Sequence, residues 1–155
     1  KVSLDGVLSS KVPVGYIEVR AFAHATEDEE KVLAAIRRVF PPEVADNITF
    51  RKKRLSGHYG NPITLFEAKI RDQNHIKAFL ENLASKMSIL DKENLNNSIK
   101  QHLDKASLYI RLDKQAAYLN QIRLCTADPI HFRIHFKKSK PEEIIDACRK
   151  LGILP

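Results

Sequence analysis

Ile130-His131-Phe132-Arg133-Ile134-His135-Phe136 is the stretch on which the fold of this chain turns. Apolar residues alternate strictly with basic or imidazole ones. Successive side chains of a β-strand point to opposite faces, so Ile130, Phe132, Ile134 and Phe136 share a buried face and His131, Arg133 and His135 share the other. The strand belongs to a sheet that is covered on one side only.

The same period recurs upstream. Leu108, Ile110 and Leu112 alternate with Tyr109, Arg111 and Asp113. From Val14 to His24, Ile17, Val19, Ala21 and Ala23 oppose Tyr16, Glu18, Arg20 and Phe22, which reads as a strand with two partly covered faces. Further strands are expected from about Ile48 to Leu55, from Ile63 to Arg71 with Ile63, Leu65 and Glu67 on one face, and briefly from Gln121 to Cys125. Between them the period changes to that of a helix. Thr26 and Glu29 have the spacing of a capping box, and the acids Glu27 to Glu30 suit a positive helix N-terminus. Val32, Leu33, Ile36, Val39 and Phe40 form the apolar stripe, and Pro41-Pro42 stops that helix. Ile76, Phe79, Leu80, Leu83 and Met87 mark a helix from Asp72 to Met87. Leu95, Ile99 and Leu103 mark a more polar one from Asp91 to Leu103. Pro141 opens a last helix carrying Ile144, Ile145, Cys148 and Leu151, and Gly152 closes it. Helices and strands are interspersed, yet several strands follow one another through short loops. The expected class is α+β, a mixed, mainly antiparallel sheet with helices packed on one face.

With 155 residues, 43% of them hydrophobic and 29% charged, residues 1–155 suit a single domain with a self-sufficient core. Residues 1–13 have weak periodicity and read as a loose arm or an edge strand. No window is apolar enough to cross a membrane and no secretory signal is visible. Cys125 and Cys148 make no disulfide framework, which points to a reducing, cytoplasmic compartment and to buried thiols that act as small hydrophobes. The net charge of +7 and pI near 9.5 attract polyanions.

Four features carry functional information. The polar sides of the strands gather Tyr16 and Arg20, Arg51 and Lys53, Tyr109 and Arg111, and His131, Arg133 and His135. If those strands are neighbours they form an open basic surface dotted with rings, suited to pairing phosphates and stacking bases. The run Arg51-Lys52-Lys53-Arg54 must divide between both faces of its strand, and protecting a sheet edge explains it as well as phosphate binding does. In Gly57-His58-Tyr59-Gly60-Asn61-Pro62 two glycines allow a close backbone approach, and His58 and Tyr59 are candidates to touch a base or phosphate. An ordinary hairpin turn is the simpler reading. His131 and His135 lie about 13 Å apart on one strand and cannot share a metal by themselves. No acidic cluster other than the capping run suggests a metal-dependent nuclease, so neither a metal nor a cofactor is expected, and no catalysis.

Three blocks, His24-Ala25-Thr26-Glu27-Asp28-Glu29-Glu30-Lys31-Val32, Gly57-His58-Tyr59-Gly60-Asn61-Pro62-Ile63 and Arg111-Leu112-Asp113-Lys114-Gln115, occur in an order that spans most of the chain. Together they resemble an archaeal family of RNA-binding, predicted exosome-subunit proteins. The resemblance implies an α+β fold related to the ribosomal protein that binds 5S RNA, association with RNA, and an archaeal cytoplasm. It implies no catalytic residues. It makes His58, Tyr59, Asn61, Arg111, Asp113, Lys114 and Gln115 candidate surface positions. Joined to the reading of the strands, the expected RNA contacts are Arg51, Lys53, Arg54, His58, Tyr59, Asn61, Tyr109, Arg111, Lys114 and Arg133. Asp113 is expected to orient Lys114 or Arg111. The expected partner is RNA, followed by subunits of an RNA-processing complex on which the chain would dock as an adaptor, and not a membrane. The sequence assigns no oligomeric state.

Overall fold

The computed structural model describes residues 14–137 and 140–155, the side chain of His58 excepted. The expected arm or edge strand from Lys1 to Pro13 lies outside the described residues. Among the described residues six strands pair: β1 Val14–Ala23, β2 Arg51–Ser56, β3 Pro62–Ile70, β4 Leu103–Asp104, β5 Ser107–Leu112 and β6 Ile130–Phe136. Their order is β2-β3-β1-β6-β5-β4, and every neighbouring pair is antiparallel. The helices are α1 Glu29–Arg38, α2 Pro42–Ala45, α3 Gln73–Lys86, α4 Ile89–Asn97, α5 Lys114–Tyr118 and α6 Pro141–Leu151.

The alternation in the sequence decides which face the helices cover. Ile17, Val19 and Ala21 of β1, Ile110 and Leu112 of β5, and the four apolar residues of β6 are buried. Against them pack Val32 and Ile36 of α1, Ile76, Phe79, Leu80 and Leu83 of α3, and Ile144 and Cys148 of α6. Phe40, Phe79 and Phe132 meet at the centre with ring centroids 5.0 to 5.9 Å apart. Each fully buried side chain of this kind contributes about 1.5–3 kcal/mol of burial free energy. Among the described residues the other face of the sheet stays open, with Arg20, Arg51 and Arg111 exposed.

Local chemistry explains the element ends. Asp72 caps α3 by accepting from the amides of Asn74 and His75, and Gly152 ends α6 in the left-handed region at φ 85°. Some boundaries differ from expectation. The cap of α1 is Asp28, not Thr26, and its carboxylate accepts from the Glu30 amide. Glu29 leaves the cap because Lys52, Arg54 and the Thr64 hydroxyl hold its carboxylate from the sheet. Pro41-Pro42 ends α1 but also opens the single turn α2, since proline suits a first helical position. The polar helix begins earlier, capped by Ser88, and its second half tightens into a 3₁₀ turn over Ile99–His102 before β4. Gln121 to Cys125 is no strand; it makes isolated bridges from Ile122 to Met87 and from Leu124 to Leu112. β2 starts at Arg51, with Ile48 already buried ahead of it.

Candidate nucleic-acid interface

Pairing registers bring the outward side chains of five strands into rows that run across the open face. One row reads Arg51, Glu67, Arg20, His131, Arg111, and crosses from β2 to β5. The next reads Lys69, Glu18, Arg133, Tyr109, and a third Tyr16, His135, Ser107. Residues as far apart in the chain as Tyr16 and His135 thus become neighbours. Six cations, Arg20, Arg51, Lys53, Lys69, Arg111 and Arg133, face Glu18 and Glu67, and Asp104 of β4 adds a third carboxylate at the edge, opposite Ser107.

The carboxylates are shared. Glu67 lies 3.8 Å from Arg20, 3.7 Å from Arg51 and 3.3 Å from Lys53. Glu18 takes Arg133 at 3.2 Å. One negative charge cannot balance three positive ones, so the first row keeps a positive surplus. Among the described residues no carboxylate pairs with Arg111 or Lys69.

Rings are set between the charges. Tyr16 and His135 stack with centroids 4.6 Å apart and planes 15° from parallel. The Lys69 ammonium stands 4.0 Å above the Tyr16 ring, a favourable cation–π contact. Tyr109 lies 5.5 Å from His131. Arg133 is held in place by more than its ion pair: its Nε donates to the Ser107 hydroxyl at 2.9 Å, and that oxygen lies 3.2 Å from Nδ1 of His135. Both histidines are held below the usual imidazole range. Partial burial is the main cause for each, followed by Arg111 and Arg20 for His131 and by Arg133 and Lys69 for His135, where Glu18 opposes.

The sequence-expected residues divide into three groups. Arg51, Lys53, Tyr109, Arg111 and Arg133 come together on this face. Tyr59 and Asn61 stand at its corner, in the turn between β2 and β3, where Tyr59 is 92% exposed and adopts φ 64°. His58 shares that turn, and its side chain lies outside the described residues. Two others point elsewhere. Strand alternation turns Arg54, like Lys52, to the helix side, where both pair with Glu29. The Lys114 side chain is only 12% exposed and its ammonium binds Glu27, Asp128 and the Phe22 carbonyl, so it acts within the fold. Asp113 orients neither Lys114 nor Arg111; it caps α5 by accepting from the Ala116 amide.

Two groupings escaped the sequence reading. Lys69 belongs to the face, and extending the alternation of Glu67 by two residues would have placed it there. His24, Glu27 and Asp128 bring ligand-type atoms within 4.8 Å of one another. Nothing in the sequence marks this, because Asp128 is about a hundred residues away from the other two. Lys114 supplies the cation of that cluster. Among the described residues no helix is long and apolar enough to cross a membrane.

Known proteins share this architecture. The chain is 36% identical over 148 residues to RNA-binding protein PAB1135 of Pyrococcus abyssi, a match that covers 92% of this chain and 96% of that one. Among solved structures, AF2318 of Archaeoglobus fulgidus, a DUF54 protein, superposes with a TM-score of 0.75 at 32% identity, over 89% of this chain and 99% of that one. Mth689 of Methanothermobacter thermautotrophicus shares the fold with a TM-score of 0.72 at 24% identity, over 92% of this chain and 98% of the other. The model of a family described as RNA binding matches residues 16–136, the span that runs from the first ring of the open face to the end of β6, and the chain belongs to that RNA-binding family.

Proposed function

We propose that the uncovered sheet face binds single-stranded RNA and that the protein is a non-catalytic accessory to RNA processing or degradation in an archaeal cytoplasm. The observation that carries this reading is the convergence of six cations from five strands around Tyr16 and Tyr109, with Glu18 and Glu67 among them and Asp104 at the edge. Arg51, Lys53, Arg111 and Arg133 meet phosphates, and Tyr109 stacks on a base. Tyr59, Asn61 and His58 extend the contact at the hairpin corner. Flat, ring-bearing and basic, the face suits splayed bases better than the deep groove of a duplex. The sequence resemblance to exosome-subunit proteins and to the 5S-binding ribosomal fold supports the processing or ribosome-assembly setting.

Titration of a fluorescent single-stranded RNA against salt tests the proposal. Each phosphate neutralised adds about 0.7 to the negative slope of log K against log salt, so three or four contacts give a slope of about −2 to −3. Arg51→Ala and Arg133→Ala should each flatten it. A salt-independent affinity between about 50 and 200 mM rules the face out as an electrostatic site. Labelled RNA incubated with Mg²⁺ or Mn²⁺ is expected to stay intact.

A second reading, an adaptor on an RNA-processing complex, draws on Ile89, Leu90 and Leu119, which are 65 to 76% exposed. Association with such a complex that survives nuclease treatment favours this reading, and loss on treatment favours direct binding to RNA.

A further inference from the structure

The row that carries Arg111 ends at a gap in the sheet edge. β4 pairs only with Ser107 and Leu108, so the rest of β5 has no strand beyond it. That edge is closed at two points: His102 Nδ1 meets the Tyr109 carbonyl at 3.1 Å, and the Cys125 amide donates to the Arg111 carbonyl at 3.1 Å. The segments that make these contacts border, together with α4, an open cleft of about 230 Å³. Leu95 and Leu124 give it apolar wall. Asp91 and Arg111 both line it.

The charges of this pocket are arranged in an uneconomical way for a protein at rest. The Asp91 carboxylate is fixed, because one oxygen accepts the Leu124 amide at 3.0 Å. Arg111 borders the same space, yet no ion pair joins the two or satisfies either with another partner among the described residues. A carboxylate residue and an arginine therefore border one cleft with no ion pair between them among the described residues. A ligand that bridges them must offer two adjacent acceptors to the guanidinium and donors to the carboxylate, on a flat body that lies against leucine side chains. Guanine has this combination: O6 and N7 form an acceptor pair matched to arginine, and N1–H and the N2 amino group form a donor pair matched to a carboxylate.

We propose that this pocket holds one unpaired guanine of an RNA strand lying on the sheet face, with Arg111 on O6 and N7 and Asp91 on N1–H and the N2 amino group. The inference rests on the RNA reading of the face and adds a base preference to it. Arg111 is the joint between the two, since it belongs to the basic row and to the pocket. A strand that follows the row reaches the pocket at its end, where a base can turn off the sheet.

The test compares binding of the full chain to a short all-uridine RNA and to the same RNA with one central guanosine or one central inosine, which lacks the N2 amino group. Guanosine is expected to bind about tenfold more tightly than uridine, with inosine between them. In Asp91→Asn the amide oxygen still accepts from Leu124, but the carboxylate acceptor is gone. The variant should lose the guanosine preference, while its affinity for all-uridine RNA stays equal or rises because one negative charge has been removed. Equal binding of the guanosine and uridine strands by the natural protein overturns the pocket and leaves the face standing. Full preference retained by Asp91→Asn overturns it as well. Binding of none of the three strands overturns the RNA reading and the pocket with it. If Asp91→Asn fails to fold, the guanosine, inosine and uridine comparison on the natural protein decides alone.

Discussion

His131 and His135 stand among cations on the open face, and that placement couples them to pH in two opposite ways. Both titrate below the ordinary 6.5 because partial burial and the neighbouring Arg111, Arg20, Arg133 and Lys69 disfavour the imidazolium. The unfolded chain therefore binds more protons than the folded one as pH falls through about 6.5, and the free protein loses stability as it does so. Thermal unfolding followed from pH 7.5 to 5.5 should show the melting temperature falling, and less steeply in a His131→Gln, His135→Gln double variant. In the proposed complex RNA phosphates would face the same cations, reverse the local field and make the imidazolium easier to hold. RNA affinity is then expected to rise over the same pH interval. A pH-independent affinity in the natural protein counts against phosphates lying over the histidines. The two cysteines do not share in this chemistry: Cys148 is buried and its thiol is pushed up to about 12, while burial and two nearby aspartates raise Cys125.

At the scale of the element, β2 shows how one backbone geometry splits four consecutive cations. Arg51 and Lys53 face outward to Glu67, and Lys52 and Arg54 turn to Glu29. Glu67, on β3, sits between Arg20 of β1 and the pair Arg51 and Lys53 of β2, and in the proposed complex it would compete with phosphate for these three cations. Glu67→Gln should raise RNA affinity about two- to fivefold at low salt, the equivalent of one exposed ion pair, and the gain should shrink as salt increases. A loss of affinity would mean that Glu67 positions these cations for RNA instead of occupying them. The strands were legible in the sequence because period two and burial on one side reinforce each other, as in β6. The long helices were legible for the corresponding reason. α4 was blurred because Leu95 is its one buried side chain, and α5, five residues long, has no room for a stripe. Arg51, Arg111 and Arg133 could be assigned to an outward side, but not to one another. Strand order is settled by packing between distant segments, and neither the rows nor the Asp91 and Arg111 pocket exists until that order is known. Lys114 shows the limit from the other side: a lysine that looks like surface in sequence is taken up by partners at positions 22, 27 and 128.

Over the whole molecule, one continuous apolar cluster runs from Val14 to Leu154 and takes side chains from all the long helices and from β1, β3, β5 and β6. β1 lies at the middle of the sheet and is flanked by strands from both halves of the chain. The described residues share this one cluster, so we expect the chain to unfold as one unit. Urea denaturation followed by far-ultraviolet circular dichroism and by tyrosine fluorescence should give coincident midpoints. Two separated transitions would show that part of the sheet is independently stable.

The ammonium of Lys114 ties the end of β1, the entry to α1 and the loop at Asp128 into one corner. In many proteins such a knot of histidine and carboxylates depends on an ion drawn from solution, whose occupancy varies with supply. Here the positive charge is tethered by a covalent stem. Neither dilution nor a chelator such as EDTA can strip it away, and the corner is fastened as soon as the polypeptide folds.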